Sequence, residues 1–222
     1  MIEKGRLYIV ATPIGNPRDI TLRALDVLTE VDAVICEEYR EGSTLLKRLG
    51  ITKEIIELNE HNEPEKAPQI TLRLHQNESM ALISDCGTPV FADPGSTLIG
   101  RVVEEGIPVV PIPGPSSLMA TLSILNFKLD RFIYAGFLPR DRDERRKALK
   151  HLRATRFPII LMDAPYRLAP LLADLEAVYS GGVSITLAMD LTLPGELIYR
   201  GSLSEAKKQV GTRKSEFVII VH

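Results

Sequence analysis

Three loops rich in glycine and proline each follow a short apolar run in the first half of the chain. They are loop 1 (residues 11–17, Ala-Thr-Pro-Ile-Gly-Asn-Pro), loop 2 (residues 84–95, Ser-Asp-Cys-Gly-Thr-Pro-Val-Phe-Ala-Asp-Pro-Gly) and loop 3 (residues 111–117, Pro-Ile-Pro-Gly-Pro-Ser-Ser). Glycine and proline let a main chain approach a bound molecule closely, although an ordinary turn also explains each loop taken alone. Because ligands bind beyond the carboxyl ends of parallel strands, the three loops together predict one ligand crevice.

These loops do not carry the familiar phosphate-binding patterns. The dinucleotide fingerprint of three spaced glycines is absent from them, and so is the phosphate loop that ends in Gly-Lys-Ser or Gly-Lys-Thr. Nucleotide phosphates are therefore not the ligand that the loops predict.

Charged side chains that could transfer protons or bind a substrate follow two of the apolar runs. Glu37 and Glu38 stand beside Tyr39 and Arg40, and Asp85 lies in loop 2. One interpretation of the first group is a solvated helix start, where glutamate is favoured by the helix dipole. The other has Arg40 binding an anionic or polar substrate while Glu37, Glu38 or Asp85 acts as the acid or base.

A basic cluster between residues 140 and 156 is a further charge feature. It contains Arg140, Arg142, Arg145, Arg146, Lys147, Lys150, Arg153 and Arg156. On a helix, several of these side chains fall along one stripe. The stripe is either a solvated surface or a surface that contacts RNA phosphates, and in the second case Arg145 and Arg146 bind substrate.

Composition bounds the class of protein. The chain has 222 residues, of which 45% are hydrophobic and 25% charged, as is typical of a soluble globular protein. The formal net charge of -2 excludes an overall basic nucleic-acid binder but not a local basic patch. Cys36 and Cys86 are too few and too far apart for a zinc site, so we expect no metal and two small packed residues.

The elements that would position the loops alternate between strand and helix in the first half. Apolar runs predict strands at residues 7–11, 33–36, 55–58, 80–83 and 108–112. Helical spacing predicts helices at residues 21–30, 43–49, 68–76 and 97–105. Such an order implies right-handed crossovers and a mainly parallel sheet.

The second half predicts a mixed sheet, because short turns join some of its neighbouring strands. Strands are expected at residues 132–137, 157–162, 183–189, 196–200 and 216–221, and helices at 116–125, 142–153, 166–179 and 204–210. The fold class is therefore α/β, with an N-terminal domain at residues 1–113 and a C-terminal domain at 114–222. No stretch reaches the about 18 apolar residues of a membrane helix and the N-terminus lacks a signal-peptide pattern, so we expect a cytoplasmic protein without a membrane partner.

Several runs of the sequence resemble the family of small-subunit rRNA cytidine 2′-O-methyltransferases, which belongs to the tetrapyrrole methylase superfamily. The runs are residues 7–16, 19–25, 84–95 and 111–116, Phe132 with the Gly-Phe-Leu-Pro of residues 136–139, and the Ala-Pro-Tyr-Arg-Leu of residues 164–168. The family has a similar Ser-Pro-His-Arg at the last of these. The resemblance covers nearly the whole chain.

The resemblance implies a methyltransferase that uses S-adenosylmethionine (SAM), held in a cleft between the two domains of a tetrapyrrole-methylase-like fold. By the same resemblance, SAM is bound by Pro13, Gly15, Asp85, Gly87, Thr88, Pro89, Pro113, Gly114, Pro115, Ser116 and Ser117. It also implies rRNA or the small ribosomal subunit as partner, Tyr166 and Arg167 at the substrate, and a homodimer. Methyl transfer is a direct displacement, so no metal or covalent nucleophile is required.

Three departures from the family bear on the methyl acceptor. Glu-Glu-Tyr-Arg at residues 37–40 replaces Glu-Asp-Thr-Arg, Met189 and Leu193 stand where the family is basic, and the sequence ends at His222 where the family usually continues into a helical extension. The expectation of SAM as methyl donor is unaffected. The first hypothesis is 2′-O-methylation of a ribose of rRNA; the others are a methyltransferase acting on another RNA or a small metabolite, and a non-catalytic SAM-binding module.

Overall fold

The computed structural model describes residues 2–91, 93–180 and 182–222, and the chain divides into two compact units. The first unit is Met1–Ser116 and the second is Ser117–His222. Ala92, which belongs to loop 2, lies outside the described residues.

The first unit is built on a parallel sheet. Its strands are β1 (Leu7–Val10), β2 (Ala33–Cys36), β3 (Glu54–Glu57), β4 (Met80–Ile83) and β5 (Val109–Ile112). Within the described part of this unit they form one sheet in the order β3-β2-β4-β1-β5, and all neighbouring pairs are parallel. The parallel sheet predicted for the first half is confirmed.

The three central strands β2, β4 and β1 are mostly buried on both faces, whereas the edge strands β3 and β5 are partly exposed. Leu7 of β1 packs into one core, while Tyr8 and Val10 pack into the core on the other face. Such alternation follows from the period of two in a strand, and it explains why these strands read as continuous apolar runs. The helices that cover the sheet are α1 (Leu22–Glu30), α2 (Tyr39–Arg48), α3 (Glu63–His75) and α4 (Ser96–Glu104).

A helix start matches the prediction where the sequence has a capping residue. Thr21 caps α1, and its Oγ1 accepts a hydrogen bond of 3.1 Å from the backbone N–H of Ala24. Two predicted starts were wrong: α2 begins at Tyr39 instead of 43, and α3 begins at Glu63 instead of 68. Both first turns are polar, so apolar spacing gave no signal there.

The second unit contains a mixed sheet. Its strands are β6 (Ile133–Gly136), β7 (Ile159–Asp163), β8 (Ser184–Met189), β9 (Leu197–Ser202) and β10 (Phe217–Val221). In the described residues their order is β6-β7-β10-β8-β9, with β6 and β7 parallel and the other neighbouring pairs antiparallel. The mixed sheet predicted for the second half is confirmed.

The helices of the second unit are α5 (Ser117–Ser123), α6 (Arg142–Ala154), α7 (Leu168–Tyr179) and α8 (Leu203–Val210). Leu149 of α6 and Leu175 of α7 are fully buried in the larger core of this unit, together with Ile159 of β7. A smaller core on the other face of the sheet joins Ile160 with Leu118 of α5. The sheet is therefore a rigid support for the loops at its ends.

Candidate functional site

The carboxyl ends of β4, β1 and β5 lie side by side at one edge of the first sheet, which we call the β4–β1–β5 edge. Val10, the last residue of β1, is paired with Ile83 of β4 and with Ile112 of β5. Loops 1, 2 and 3 leave the sheet at these residues. The predicted convergence of the three loops is therefore confirmed by the strand order.

Thr12 links loop 1 to loop 2. Its backbone N–H donates to the carbonyl oxygen of Gly87 at 2.8 Å, and its hydroxyl donates to the carbonyl oxygen of Ser84 at 3.0 Å. The same hydroxyl accepts a hydrogen bond of 3.2 Å from the N–H of Gly87. Thr12 is only 1% exposed, and our sequence reasoning gave it no role. A polar residue just beyond the end of a buried strand was the signal that could have identified it.

Two glycines are required where the loops approach one another. Gly87 has a φ of +87°, and a Cβ there would lie 3.1 Å from Cγ2 of Ile14. A Cβ on Gly114 would lie 3.0 Å from the Cβ of Ala11. The hydroxyl of Thr88 donates to the carbonyl oxygen of Pro115 at 3.2 Å, which joins loop 2 to loop 3. The three loops form one connected structure, in which a side chain at Gly87 or Gly114 would crowd Ile14 or Ala11 of loop 1.

A cavity of about 180 Å³ opens beside loop 1 in the first unit. It is lined by Pro13 and Gly15 of loop 1, Asp85 of loop 2, and residues of α2 that include Glu41 and Arg48. Sites for drug-sized ligands usually measure about 300 to 1,000 Å³. The cavity can therefore enclose only part of such a ligand within this unit.

Carboxylates collect where β2 and β4 end. Although Asp85 is exposed, desolvation raises the pKa of its carboxyl to about 6, and the negative charges of Glu38, Glu41 and Asp93 act in the same direction. Desolvation also raises the pKa of Glu37, with Asp85 as the next cause. A carboxyl group whose pKa is near neutrality is suited to accept or donate a proton.

Glu38 and Arg40 lie at the start of α2. Glu38 is the N-cap residue of this helix, and its side chain is exposed and makes no capping hydrogen bond. Its backbone N–H instead donates to the carboxylate of Asp85, which opposes the rise in the pKa of Asp85. Arg40 is exposed in the first turn of the helix. The structure thus places Glu37, Glu38 and Asp85 together.

Three arginines of the basic cluster converge on one buried carboxylate. Asp174 of α7 accepts hydrogen bonds from Nε of Arg142 at 3.3 Å, from Nη2 of Arg145 at 2.6 Å and from Nε of Arg146 at 2.7 Å. Burial alone would raise the pKa of Asp174, but the hydrogen bonds from Arg146, Arg145 and Arg142 hold it below its ordinary value. The side chain of Arg145 is 8% exposed, so these contacts account for it without a substrate.

The other predicted substrate residues follow β7. Arg167 pairs with Asp163 at 3.0 Å, and its Nη2 donates to the carbonyl oxygens of Leu138 and Pro139, both at 2.8 Å. Burial raises the pKa of Asp163, and the N–H of Ala164 and the charge of Arg167 oppose this effect. Tyr166, by contrast, is 59% exposed. Neighbouring residues of one predicted motif therefore face different environments.

The two cysteines also differ in their exposure to solvent. Cys36 is buried, and desolvation raises the pKa of its thiol to about 12. Cys86 is exposed, so the expectation of a packed residue was wrong at that position.

In the part of the chain that the structure describes, no group of three or more His, Cys, Asp or Glu side chains is arranged to hold a metal ion. None of the helices in those residues has the length and apolar character needed to span a membrane.

Comparisons with known proteins agree over almost the entire length. Residues 6–207 match the family model of tetrapyrrole (corrin/porphyrin) methylases. The sequence is 40% identical to the Ribosomal RNA small subunit methyltransferase I of Escherichia coli O157:H7, over 99% of this chain and 78% of that protein. It is 37% identical to the protein of the same name from Leptospira biflexa, over 99% of this chain and 92% of that protein.

Solved structures show the same fold at low sequence identity. A cobalt precorrin-4 methyltransferase of cobalamin biosynthesis has a TM-score of 0.71 at 19% identity, covering 100% of this chain and 97% of its own. A diphthine synthase has a TM-score of 0.73 at 18% identity, covering 97% of this chain and 88% of its own. These structures support the fold alone.

Proposed function

Because the chain belongs to the tetrapyrrole (corrin/porphyrin) methylase family, we propose that it is a SAM-dependent methyltransferase that 2′-O-methylates a ribose of small-subunit rRNA. The observation that carries this proposal is the identity of 40% over nearly the whole chain to relatives named Ribosomal RNA small subunit methyltransferase I. The geometry of loops 1 to 3 supports it, because Gly87 and Gly114 let the three loops pack closely together beyond the ends of adjacent parallel strands, where ligands bind.

SAM would be held at the β4–β1–β5 edge. Pro13 and Gly15 of loop 1, residues 85 and 87–89 of loop 2, and residues 113–117 of loop 3 are the proposed contacts. When bound, SAM supplies an electrophilic methyl group on a sulfonium cation. Carboxylates and carbonyl oxygens stabilise a cation, and Asp85 and Glu41 both line the cavity beside loop 1.

Asp85 is the proposed general base. A ribose hydroxyl is a weak nucleophile until its proton is removed, so a base near the methyl donor is needed. Among the three predicted candidates, Asp85 combines a pKa of about 6 with a place in loop 2 and on the wall of the cavity. At neutral pH its carboxylate is mostly ionised and accepts the proton that the hydroxyl loses on methylation.

The acceptor is tested by mapping ribose methylation in total rRNA from cells with and without this gene. Mass spectrometry should find one methylated nucleotide of the small-subunit rRNA that is absent without the gene and returns when the gene is restored. Identical maps would rule out the rRNA assignment. In that case methyl transfer from labelled SAM to a pool of other RNAs or to small metabolites distinguishes the remaining acceptors.

The donor site is tested by paired glycine substitutions. Gly87→Ala forces a side chain onto a backbone with φ of +87° and towards Ile14, so it should weaken SAM binding. Gly100→Ala is the matched control, because a Cβ there meets open space on α4. Isothermal titration calorimetry measures the affinity of both variants for SAM. Equal affinities would remove loop 2 from the proposed site.

The assembly and location are also proposals. We propose a homodimer, as the family resemblance implies, and light scattering of the purified protein measures its mass. We propose that it acts in the cytoplasm, where small ribosomal subunits are its partner, and fractionation of cells checks this. Neither proposal affects the assignment of the site residues.

A further inference from the structure

Two exposed aromatic side chains follow the parallel strands β6 and β7 at the same edge of the second sheet. Phe137 comes directly after Gly136, the last residue of β6, and Tyr166 comes three residues after the end of β7. Their exposures are 54% and 59%. We propose that these two rings form a stacking surface for unpaired bases of the RNA acceptor. The inference rests on the proposed function and names the residues that recognise its substrate. We call residues 137–140 and 164–167 the β6–β7 edge.

Two arginines, the buried Arg145 and the half-buried Arg167, hold the backbone between the two rings. Arg167, next to Tyr166, donates to the carbonyl oxygens of Leu138 and Pro139, next to Phe137, at 2.8 Å each. Arg145 donates from Nη1 to the carbonyl oxygen of Pro139 at 3.2 Å and to that of Arg140 at 2.9 Å. The rings are therefore held on a connected support, and a rigid surface loses little conformational entropy on binding.

The end of β6 is also shaped to present Phe137. The pairing of β6 with β7 shifts register between Tyr134 and Gly136, and Gly136 has a φ of +56°. A bulge of this kind changes the direction in which the following side chain points. Leu138, one residue later, is buried at 7% exposure, so the strand end sends Phe137 outwards and Leu138 into the core.

The charge around the rings favours RNA over a protein partner. Arg140 is exposed in the same turn as Phe137, and the side chain of Arg142 is 65% exposed at the start of α6. Aromatic rings that stack bases beside cations that contact phosphates are the usual means of binding single-stranded RNA.

The opposite ends of the same strands supply a matched control. Phe132 precedes β6 and Phe157 precedes β7, with exposures of 40% and 45%. Each also follows an exposed arginine, Arg131 or Arg156. The two pairs thus match in chemistry and in strand, and they differ in which edge of the sheet they occupy.

The test compares the double variants Phe137→Ala/Tyr166→Ala and Phe132→Ala/Phe157→Ala with wild type. Fluorescence anisotropy measures the Kd for a labelled single-stranded RNA of about ten nucleotides. Methyl transfer to small ribosomal subunits from cells lacking the gene gives KM and kcat, and calorimetry gives the Kd for SAM. We expect the first variant to raise the RNA Kd and the subunit KM by about tenfold or more, with SAM binding unchanged. The second should match wild type.

Two further variants separate stacking from other roles. Phe137→Tyr/Tyr166→Phe keeps both rings and should bind RNA like wild type, because stacking does not need the hydroxyl. Arg140→Gln should lower the slope of log Kd against log salt concentration by about one, whereas Arg131→Gln should leave it unchanged.

Equal effects of the two double variants, or no effect of the first, would overturn the inference. Loss of binding to a protein of the subunit with unchanged binding to the RNA would show a protein-binding surface instead. Failure of the proposed function is distinguishable, because then the wild-type protein itself transfers no methyl group to the subunit. Wild-type transfer with indistinguishable variants rejects only the stacking surface.

Discussion

The two strand-end edges of this chain carry opposite charge on similar supports. At the β4–β1–β5 edge, Asp85 is flanked by Glu38, Glu41 and Asp93, and hydrogen bonds through Thr12 join the loops. At the β6–β7 edge, arginines hold the turns, and exposed rings and cations project from them. In both places parallel strands end side by side, so loop residues decide the ligand chemistry.

The difference in charge matches the two ligands that we propose for the two edges. A carboxylate-rich edge suits a cationic methyl donor and a proton acceptor, whereas an arginine-rich edge suits a phosphate backbone. The arginines near the second edge differ in their exposure and in their partners. Arg145 and Arg167 form ion pairs with the buried carboxylates of Asp174 and Asp163, whereas Arg140 is exposed.

The largest expected effect tests whether the acidic edge carries the chemistry. Asp85→Asn should lower kcat by about 100- to 10,000-fold, because an amide cannot accept the hydroxyl proton. In wild type, kcat should rise with pH through about 6, as the carboxyl group of Asp85 ionises. Glu41→Gln removes a neighbouring negative charge and should move this midpoint to lower pH. Initial rates with saturating SAM and subunits give kcat for wild type, Asp85→Asn and Glu41→Gln across this pH range. An Asp85→Asn rate near that of wild type would exclude the proposed base.

The next effect concerns the arginines that support the basic edge. Arg145→Ala should lower the free energy of unfolding by about 3 to 5 kcal/mol, because it leaves the buried Asp174 with a weaker set of partners. Lys150→Ala, at an exposed position on the same helix, should change it by less than about 0.5 kcal/mol. Urea denaturation followed by circular dichroism compares them. Similar values for both variants would contradict a structural role for Arg145.

A smaller effect is expected at the link between loops 1 and 2. Thr12→Val removes the hydroxyl that bonds to Ser84 and Gly87, and it should cost about 1 to 3 kcal/mol of unfolding free energy. It should also weaken SAM binding, since loop 2 loses a fixed position. Thr12→Ser keeps the hydroxyl and is the control. If Thr12→Val binds SAM as wild type does, the link has no part in shaping the site.

The smallest effect is a pH dependence of stability at the acidic edge. The pKa of Asp85 is raised from 3.8 to about 6 in the folded chain, so the folded state holds this proton more tightly between those values. The free energy of unfolding should therefore fall as pH rises from about 4 to 6. Above that range the destabilisation caused by the ionised carboxylate of Asp85 is fully present. Asp85→Asn should be more stable than wild type above pH 6 by less than about 1 kcal/mol, because the group is exposed and screened. Below pH 4 the two proteins should unfold alike, and a gap that persists there would assign the effect to another cause.

Much of the fold could be predicted from local patterns. β2 and β4 have the predicted bounds, and the convergence of the loops followed from strand order. The polar first turns of α2 and α3 were missed because periodicity needs apolar residues to be visible. Thr12 was missed for a related reason, since its partners Ser84 and Gly87 are far away along the chain.

The sequence by itself determined the α/β class, the two kinds of sheet and the family, because these depend on periodicity and on motifs of consecutive residues. Only the tertiary structure decided which charges are available. Arg145 and Asp174 are 29 residues apart, and their pairing buries a residue that the sequence predicts either on a solvated surface or at RNA phosphates. The pKa of Asp85 likewise depends on desolvation and on Glu38 and Glu41 from another element. Burial and the field of distant charges are properties of the folded chain, and a local pattern does not encode them.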